Sequence, residues 1–160
     1  MCFLFPVLAS AWTPEKTLSK RDITSVIAQC RQYEGTEVVQ IGSFGTGAIK
    51  GIVRIAAQSD PDAREALKLM KGLRGISIFE FEDCSAADKE RIVGKLDRVF
   101  SGSDLLIEAS DGSEKMKIYG VFDEQSGTVQ DFVLYAPSDC ALICLFGSIS
   151  MDAIAQLVSK

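Results

Sequence analysis

"DLLIEASDGSEKMKIYGVF", Asp104 to Phe122, is the stretch on which the fold turns. Before it, apolar residues recur every three to four positions. Within it they recur every second one: Met116, Ile118 and Gly120 alternate with Lys115, Lys117 and Tyr119. That change of period separates an amphipathic helix from a half-buried strand. Asp111-Gly112 stands between the two runs as a strong short hairpin signal. The same period continues through "TVQDFVLYA" (Thr128 to Ala136) and "CALICLF" (Cys140 to Phe146), joined by Pro137, Ser138 and Asp139. The spacing predicts a four-stranded meander. Its last strand is apolar almost throughout, which predicts a place inside the sheet, away from its edges.

Working outward, "SAADKERIVGKLDRVF" is the clearest helix. Ser85 fits the cap, Asp88 sits where a capping box wants an acid, and Ile92, Val93, Leu96, Val99 and Phe100 form the stripe. "GISIFEFE" before it reads as a strand with Ile76, Ile78 and Glu80 on one face and Phe79 and Phe81 on the other. Further upstream, Ser19 or Asp22 caps a helix whose buried side is Ile23, Val26, Ile27 and Cys30, ended by Gly35. "TEVVQIGSF" is a short strand, and Ala48, Ile49, Ile52, Val53 and Ala56 recur at helical spacing after it. Ser59 or Asp60 with Pro61 starts another helix, with Ala63, Leu67 and Met70 inward. Ser148 or Ser150 caps the last, "MDAIAQLVSK", with Met151, Ile154, Ala155 and Val158 inward. This order predicts an α+β two-layer sandwich: a mixed, largely antiparallel sheet with the C-terminal meander, and helices packed on one face.

Composition narrows the chemistry. A chain of 160 residues, 47% hydrophobic and 24% charged, suits one globular domain. Its net charge of −5, with no basic run interleaved with aromatics, argues against nucleic acid as a partner. The absence of histidine removes the commonest general base, the Ser-His and Cys-His nucleophile pairs and the usual zinc ligand. No cofactor, metal or catalytic residue is assigned.

At the start, "MCFLFPVLASAW" combines an apolar run with Ala9-Ser10-Ala11, the small residues that signal peptidase reads. Residues 1–11 are expected to be a signal peptide and residues 12–160 a single exported, periplasmic domain; the alternative is an apolar strand or helix of the core. No other segment has the apolar length of a membrane-spanning helix. Cys30, Cys84, Cys140 and Cys144 remain after such a cleavage. Their number permits disulfides, although Cys140 and Cys144, four apart on a strand, are beyond bridging reach of each other; buried free thiols are the expected state. Cys84, just before a helix start, is placed where the dipole lowers a thiol pKa.

Four glycines, Gly42, Gly45, Gly47 and Gly51, lie between a strand and a helix, where phosphate-binding loops occur. The spacing Gly-x-Gly-x-x-x-Gly fails the dinucleotide pattern, and Lys50 is followed by Gly51 instead of Ser or Thr. They read as a strand-to-helix connection. Neither Ser148 nor Ser150 in "LFGSIS" has a Gly-x-Ser-x-Gly setting. The acids Glu80, Glu82, Asp83 and Asp88 lack a calcium-loop alternation and fit a strand end and helix start. Tyr119, Tyr135, Lys115 and Lys117 are expected as exposed strand residues. The candidate binding surface is therefore Gly45, Gly47, Glu80, Glu82, Lys117 and Tyr119.

"DLLIEASDGSEKMKIYGVFDE", "DFVLYAPSDCALICLFGSIS" and "MDAIAQLVSK" together resemble the pattern "YLIxVKDxxxKVxIY", "FVLI" and "GxIxxxxIAxLM" of the DUF4252 family. The resemblance runs from about Gly75 to Lys160. It implies an exported α+β domain of the Bacteroidetes cell envelope with unknown function. Its matching positions, such as Gly147, Ile149, Ile154 and Leu157, are packing and turn positions. Two functional readings follow: a non-enzymatic module contacting an envelope protein or small ligand, or a histidine-free enzyme or small-ligand binder using the acids near residues 80–88.

Overall fold

The computed structural model describes residues 18–43, 45, 47, 50, 54, 58–103 and 105–158. The expected leader and the apolar repeat Ala48, Ile49, Ile52, Val53 and Ala56 lie outside the described residues. The chain runs α1 (Lys20–Cys30), β1 (Glu37–Ile41), α2 (Pro61–Met70), β2 (Leu73–Glu80), α3 (Ala86–Phe100), β3 (Leu105–Asp111), β4 (Glu114–Asp123), β5 (Thr128–Ala136), β6 (Ala141–Ser150) and α4 (Met151–Val158). Between β1 and α2, Ser43, Gly45, Gly47, Lys50 and Arg54 are helical. The glycine-rich connection is thus shorter than its sequence suggests. Strand β1 stops at Ile41, Gly42 changes direction, and helical backbone begins at Ser43.

Local chemistry explains where the helices begin. Ser19 accepts from the Asp22 amide while the Asp22 carboxylate reaches back to the Ser19 amide, a complete capping box. Asp60 accepts from the Asp62 amide ahead of Pro61, and Ser85 from the Asp88 amide. The Ser150 hydroxyl accepts from the Ala153 amide, so Ser150 serves α4 while Ser148 stays in the strand.

Six strands form one sheet in the order β1-β2-β6-β5-β4-β3. The meander β3 to β6 is as expected, and β6 lies inside the sheet with β2 and β5 as neighbours. Every neighbouring pair is antiparallel, so no part of the sheet is mixed. A helical connection between two strands commonly carries a parallel crossover, yet β1 and β2 pair antiparallel. A connection of that length can equally return the chain to the opposite end of the neighbouring strand. The first hairpin turns at Gly112 and Ser113, one residue later than the sequence signal. Asp111 pairs with Glu114 and Gly112 has φ of 62°, the turn that wants glycine first.

The layering also departs from expectation. Phe79, Val133, Tyr135, Leu142, Cys144 and Phe146 pack with Ile23, Val26 and Ile27 of α1 and Ile92, Leu96 and Phe100 of α3. On the opposite face, Ile118, Val129, Phe132 and Ile149 pack with Ile154 of α4, and Met70 and Met151 close on them. Helices therefore cover both faces and the sandwich has three layers. The cause lies in the strands. Val39, Ile78, Ile143, Leu134, Ile118 and Ile107 are successive register partners across the sheet, an apolar row on the α4 face. A sheet that is apolar on both faces needs cover on both. Ile92 and Leu96 are 0% exposed and Ile154 1%. Burying each such side chain contributes about 1.5–3 kcal/mol.

Candidate anion-binding site

Register breaks position the site. The β2–β6 pairing slips between Leu73 and Gly75, leaving Arg74 as a bulge residue. The β5–β6 pairing slips between Gln130 and Phe132, leaving Asp131 with φ of 54°. The Asp131 carboxylate accepts from the Gly147 amide at 3.1 Å, and the Ser148 amide donates to the Gly72 carbonyl at 3.2 Å. Gly147 has φ of 116°, and a Cβ there would run into the Gly72 carbonyl oxygen. Two backbones thus approach as only glycine allows. Bulges re-aim side chains, and Arg74 is exposed at this one.

Two clefts adjoin it, and a third opens beside the second, sharing Lys50 and Lys71 with it. The first, of about 540 Å³, lies between the first turns of α1 and the ends of β1 and β2. Gly75 and Ser77 form its floor, Gln40 lies opposite Ser77 in register, and Phe146 lies opposite Gly75. Lys20 arches over it with Nζ 4.9 Å from the Phe146 ring centroid, a cation–π contact. Ser77 is 1% exposed, and its hydroxyl has no hydrogen-bond partner. The Thr24 hydroxyl, by contrast, donates to the Lys20 carbonyl at 2.9 Å.

The second cleft, about 380 Å³, shares Arg74 and adds Lys50, Lys71, Gln130 and Ser148. The Lys50 ammonium donates to the Leu73 carbonyl at 2.6 Å, which ties the helical segment after β1 to the start of β2. The third, also about 380 Å³, holds Lys50, Arg54, Lys68 and Lys71. Lys20, Lys50, Arg54, Lys68, Lys71 and Arg74 thus line adjoining clefts with no acid among the described lining residues. Such a concentration of one sign in concave walls focuses positive potential, although the whole chain carries −5.

The six sequence candidates do not form one surface. Gly45 and Gly47 follow the Gly42–Ser43 rim of the first cleft. Glu80 and Glu82 are exposed at the other end of β2 from Arg74. Lys117 is half-buried in β4 opposite Tyr135. Tyr119 is a core residue, 6% exposed, stacked on Phe100 at 4.7 Å between centroids. Tyr135 is fully buried too, so the expected exposed tyrosines belong inside. They alternate toward the α1–α3 face, which the sequence alone had given to solvent. Among the described residues, no three His, Cys, Asp or Glu side chains gather to hold a metal, and Asp88 pairs with Arg91 at 3.3 Å. Lys20, Arg74 and Ser77 were missed. Their signal was faint: Gly72-Leu73-Arg74-Gly75 interrupts a strand with two glycines, and Ser77 is polar on the face of Phe79.

The buried thiols, Cys30, Cys84 and Cys144, are held protonated. All four described cysteines are free. Burial first, and Asp131 second, push the Cys144 thiol up to about 12. Burial and then the Asp88 carboxylate raise Cys84, overturning the lowering expected from the helix start. Burial likewise raises Cys30 and Tyr135. No described helix is long and apolar enough to cross a membrane.

No curated protein and no solved structure matches the chain significantly. A family model described as a domain of unknown function (DUF4252) matches residues 33–157. The match reaches well upstream of Gly75 and takes in all six strands, with Lys50, Arg54, Lys68, Lys71 and Arg74; Lys20 precedes it. With that extent matched, the chain belongs to the DUF4252 family, a domain of unknown function.

Proposed function

We propose that this domain is an exported, non-enzymatic interaction module that captures an anionic ligand at the basic end of its sheet. The observation that carries the reading is the set of six cations lining three adjoining clefts without an acid among the described lining residues. Binding is favoured over catalysis because the chain has no histidine and its buried thiols are held protonated. Export is supported by the apolar run ending in Ala9-Ser10-Ala11.

Calorimetric titration with inorganic phosphate, citrate and benzoate tests the binding. At least one is expected to bind, more weakly as salt rises, and Lys71→Glu with Arg74→Glu is expected to weaken it roughly tenfold or more. No binding of any of the three, or binding unaffected by the double charge reversal, refutes the reading. N-terminal sequencing of the chain recovered from its producing cells tests export. A start at Trp12 is expected; retention of Met1 to Ala11 refutes it.

A further inference from the structure

Of the three clefts, the first is distinct in kind. The other two hold three and four cations and no aromatic side chain among their described lining residues. The first is lined by two cations, Lys20 and Arg74, by the Phe146 ring, and by the unpartnered hydroxyl of Ser77, which shares the sheet face of Phe146. Its volume of about 540 Å³ falls in the range of small-molecule sites, roughly 300–1,000 Å³. From this we infer that the cleft between α1 and the β1–β2 ends is the seat of a small organic acid, a carboxylate on an apolar body. Ser77 donates to the carboxylate from below while Arg74 and Lys20 neutralise it from the rim. The inference rests on the basic-end reading and sharpens it to a ligand class.

Ser77 is the decisive residue. A serine in the middle of a strand, 1% exposed and with no hydrogen-bond partner, is a poor choice for packing alone. A buried hydroxyl loses its water without compensation, and alanine would avoid that loss. The hydroxyl is explained when an acceptor enters the cleft. Its neighbours suit such an acceptor. Gly75 suits the close approach of β1, since a Cβ there would come within 3.3 Å of the Ile41 carbonyl oxygen. Arg74 has no ion pair among the described residues, and its planar fork matches a carboxylate. Gln40, Ser77's register partner, supplies an amide that can donate or accept. An inorganic anion would satisfy the rim and leave the Phe146 ring and the stem of Lys20 over it unused. A neutral apolar molecule would satisfy the walls and leave two cations and the hydroxyl unused.

The test uses the full chain, with benzoate, benzyl alcohol and inorganic phosphate as probes, read by calorimetry and by amide shifts in NMR spectra. Benzoate is expected to move the amides of Gln40, Ser77 and Phe146, and benzyl alcohol to leave them in place. Ser77→Ala is expected to weaken benzoate roughly tenfold, the loss of one hydrogen bond to a charged group, and to leave phosphate binding unchanged. The same substitution is expected to raise the midpoint of thermal unfolding of the unliganded protein, which excludes misfolding as the cause. Arg74→Gln is expected to weaken both anions. If Arg74→Gln weakens both while Ser77→Ala leaves benzoate unchanged, the basic-end reading stands and the organic-acid seat is refuted. Benzoate shifts confined to Lys50, Lys68 and Lys71 refute it as well. Indifference of every anion to Arg74→Gln and to Lys71→Glu refutes both.

Discussion

Substituting Gly147 by alanine tests whether the register break builds the site. With φ of 116°, Gly147 occupies backbone space that an L side chain rarely enters, and the added Cβ would meet the Gly72 carbonyl oxygen and, at 3.1 Å, the Arg74 amide nitrogen. Both obstacles are backbone, so no rotamer relieves them. Backbone strain of this kind costs about 1–3 kcal/mol. Relief by separating β6 from β2 would sacrifice the bond from the Ser148 amide to Gly72, about 1 kcal/mol. The expected loss is therefore about 2–4 kcal/mol. Urea unfolding followed by circular dichroism measures it, with Gly94→Ala as control. Gly94 lies within α3 with nothing within 4 Å of an added Cβ, so alanine there should stabilise by about 1 kcal/mol. A Gly147→Ala loss below about 1 kcal/mol would show that β2 and β6 do not approach as described. The derivation of the basic clefts from that approach would then fail.

Truncating Leu96 or Ile154 to alanine should each cost about 2–5 kcal/mol in the same urea assay. Because they pack in separate clusters on opposite faces, the double variant should lose the sum to within about 0.5 kcal/mol; a shortfall beyond that contradicts the three-layer arrangement. Ser19→Ala removes the hydroxyl that accepts from the Asp22 amide, leaving only the backbone half of the α1 capping box, and should cost about 1 kcal/mol, visible as faster amide exchange in the first turn of α1. The Cys144 thiol titrates near 9 when unfolded and is held up to about 12 when folded. Its contribution is complete below about pH 9 and is lost as pH rises toward 12. Stability measured by urea midpoint should fall across that window, with a shallower fall in Cys144→Ala.

Much of the fold was legible because it is written locally. In α3 the cap, the acid three residues later and the apolar stripe agree, and Ile92, Leu96 and Phe100 are buried as that agreement predicts. The meander was legible from period and turn residues, and the central place of β6 from its lack of polar positions. Layering was not legible, since alternation tells which side chains share a face without saying what covers it. Ile76 and Ile78 on one side and Phe79 on the other are equally apolar, and only the tertiary path of α4 assigns them different partners. The site was illegible for a different reason. Lys20, Gln40, Arg74, Ser77 and Phe146 come from four separate elements, α1, β1, β2 and β6, so no spacing in sequence records their meeting. Charge in the acidic segment near Glu80 was conspicuous because it was contiguous. The cations near Arg74 are dispersed in sequence and gathered only in space.

One feature of the sheet connects the unforeseen layering to the unforeseen site. From β2 to β3, each pairing slips by one residue: at Arg74, at Asp131, at Gly120 and at Leu106. A bulge inverts the alternation, and the core composition records the inversion. Leu73 joins Ile76, Val129 joins Phe132, and Leu106 joins its own neighbour Ile107, all on the α4 face. Residues spaced by three, or adjacent, share a face that strict alternation would deny them. The bulge positions themselves leave the ladder, and two of them are charged. Asp131 turns in to hold the Gly147 amide, while Arg74 turns out to the clefts. Without the slip at Arg74, Leu73 would move to the opposite face, and the arginine would occupy an alternating position in place of the exposed bulge. Keeping Leu73 on the covered second face and setting a cation at the rim are therefore consequences of the same irregularity. It is at these breaks in the register, more than in any regular element, that this chain departs from what an ideal sheet would need.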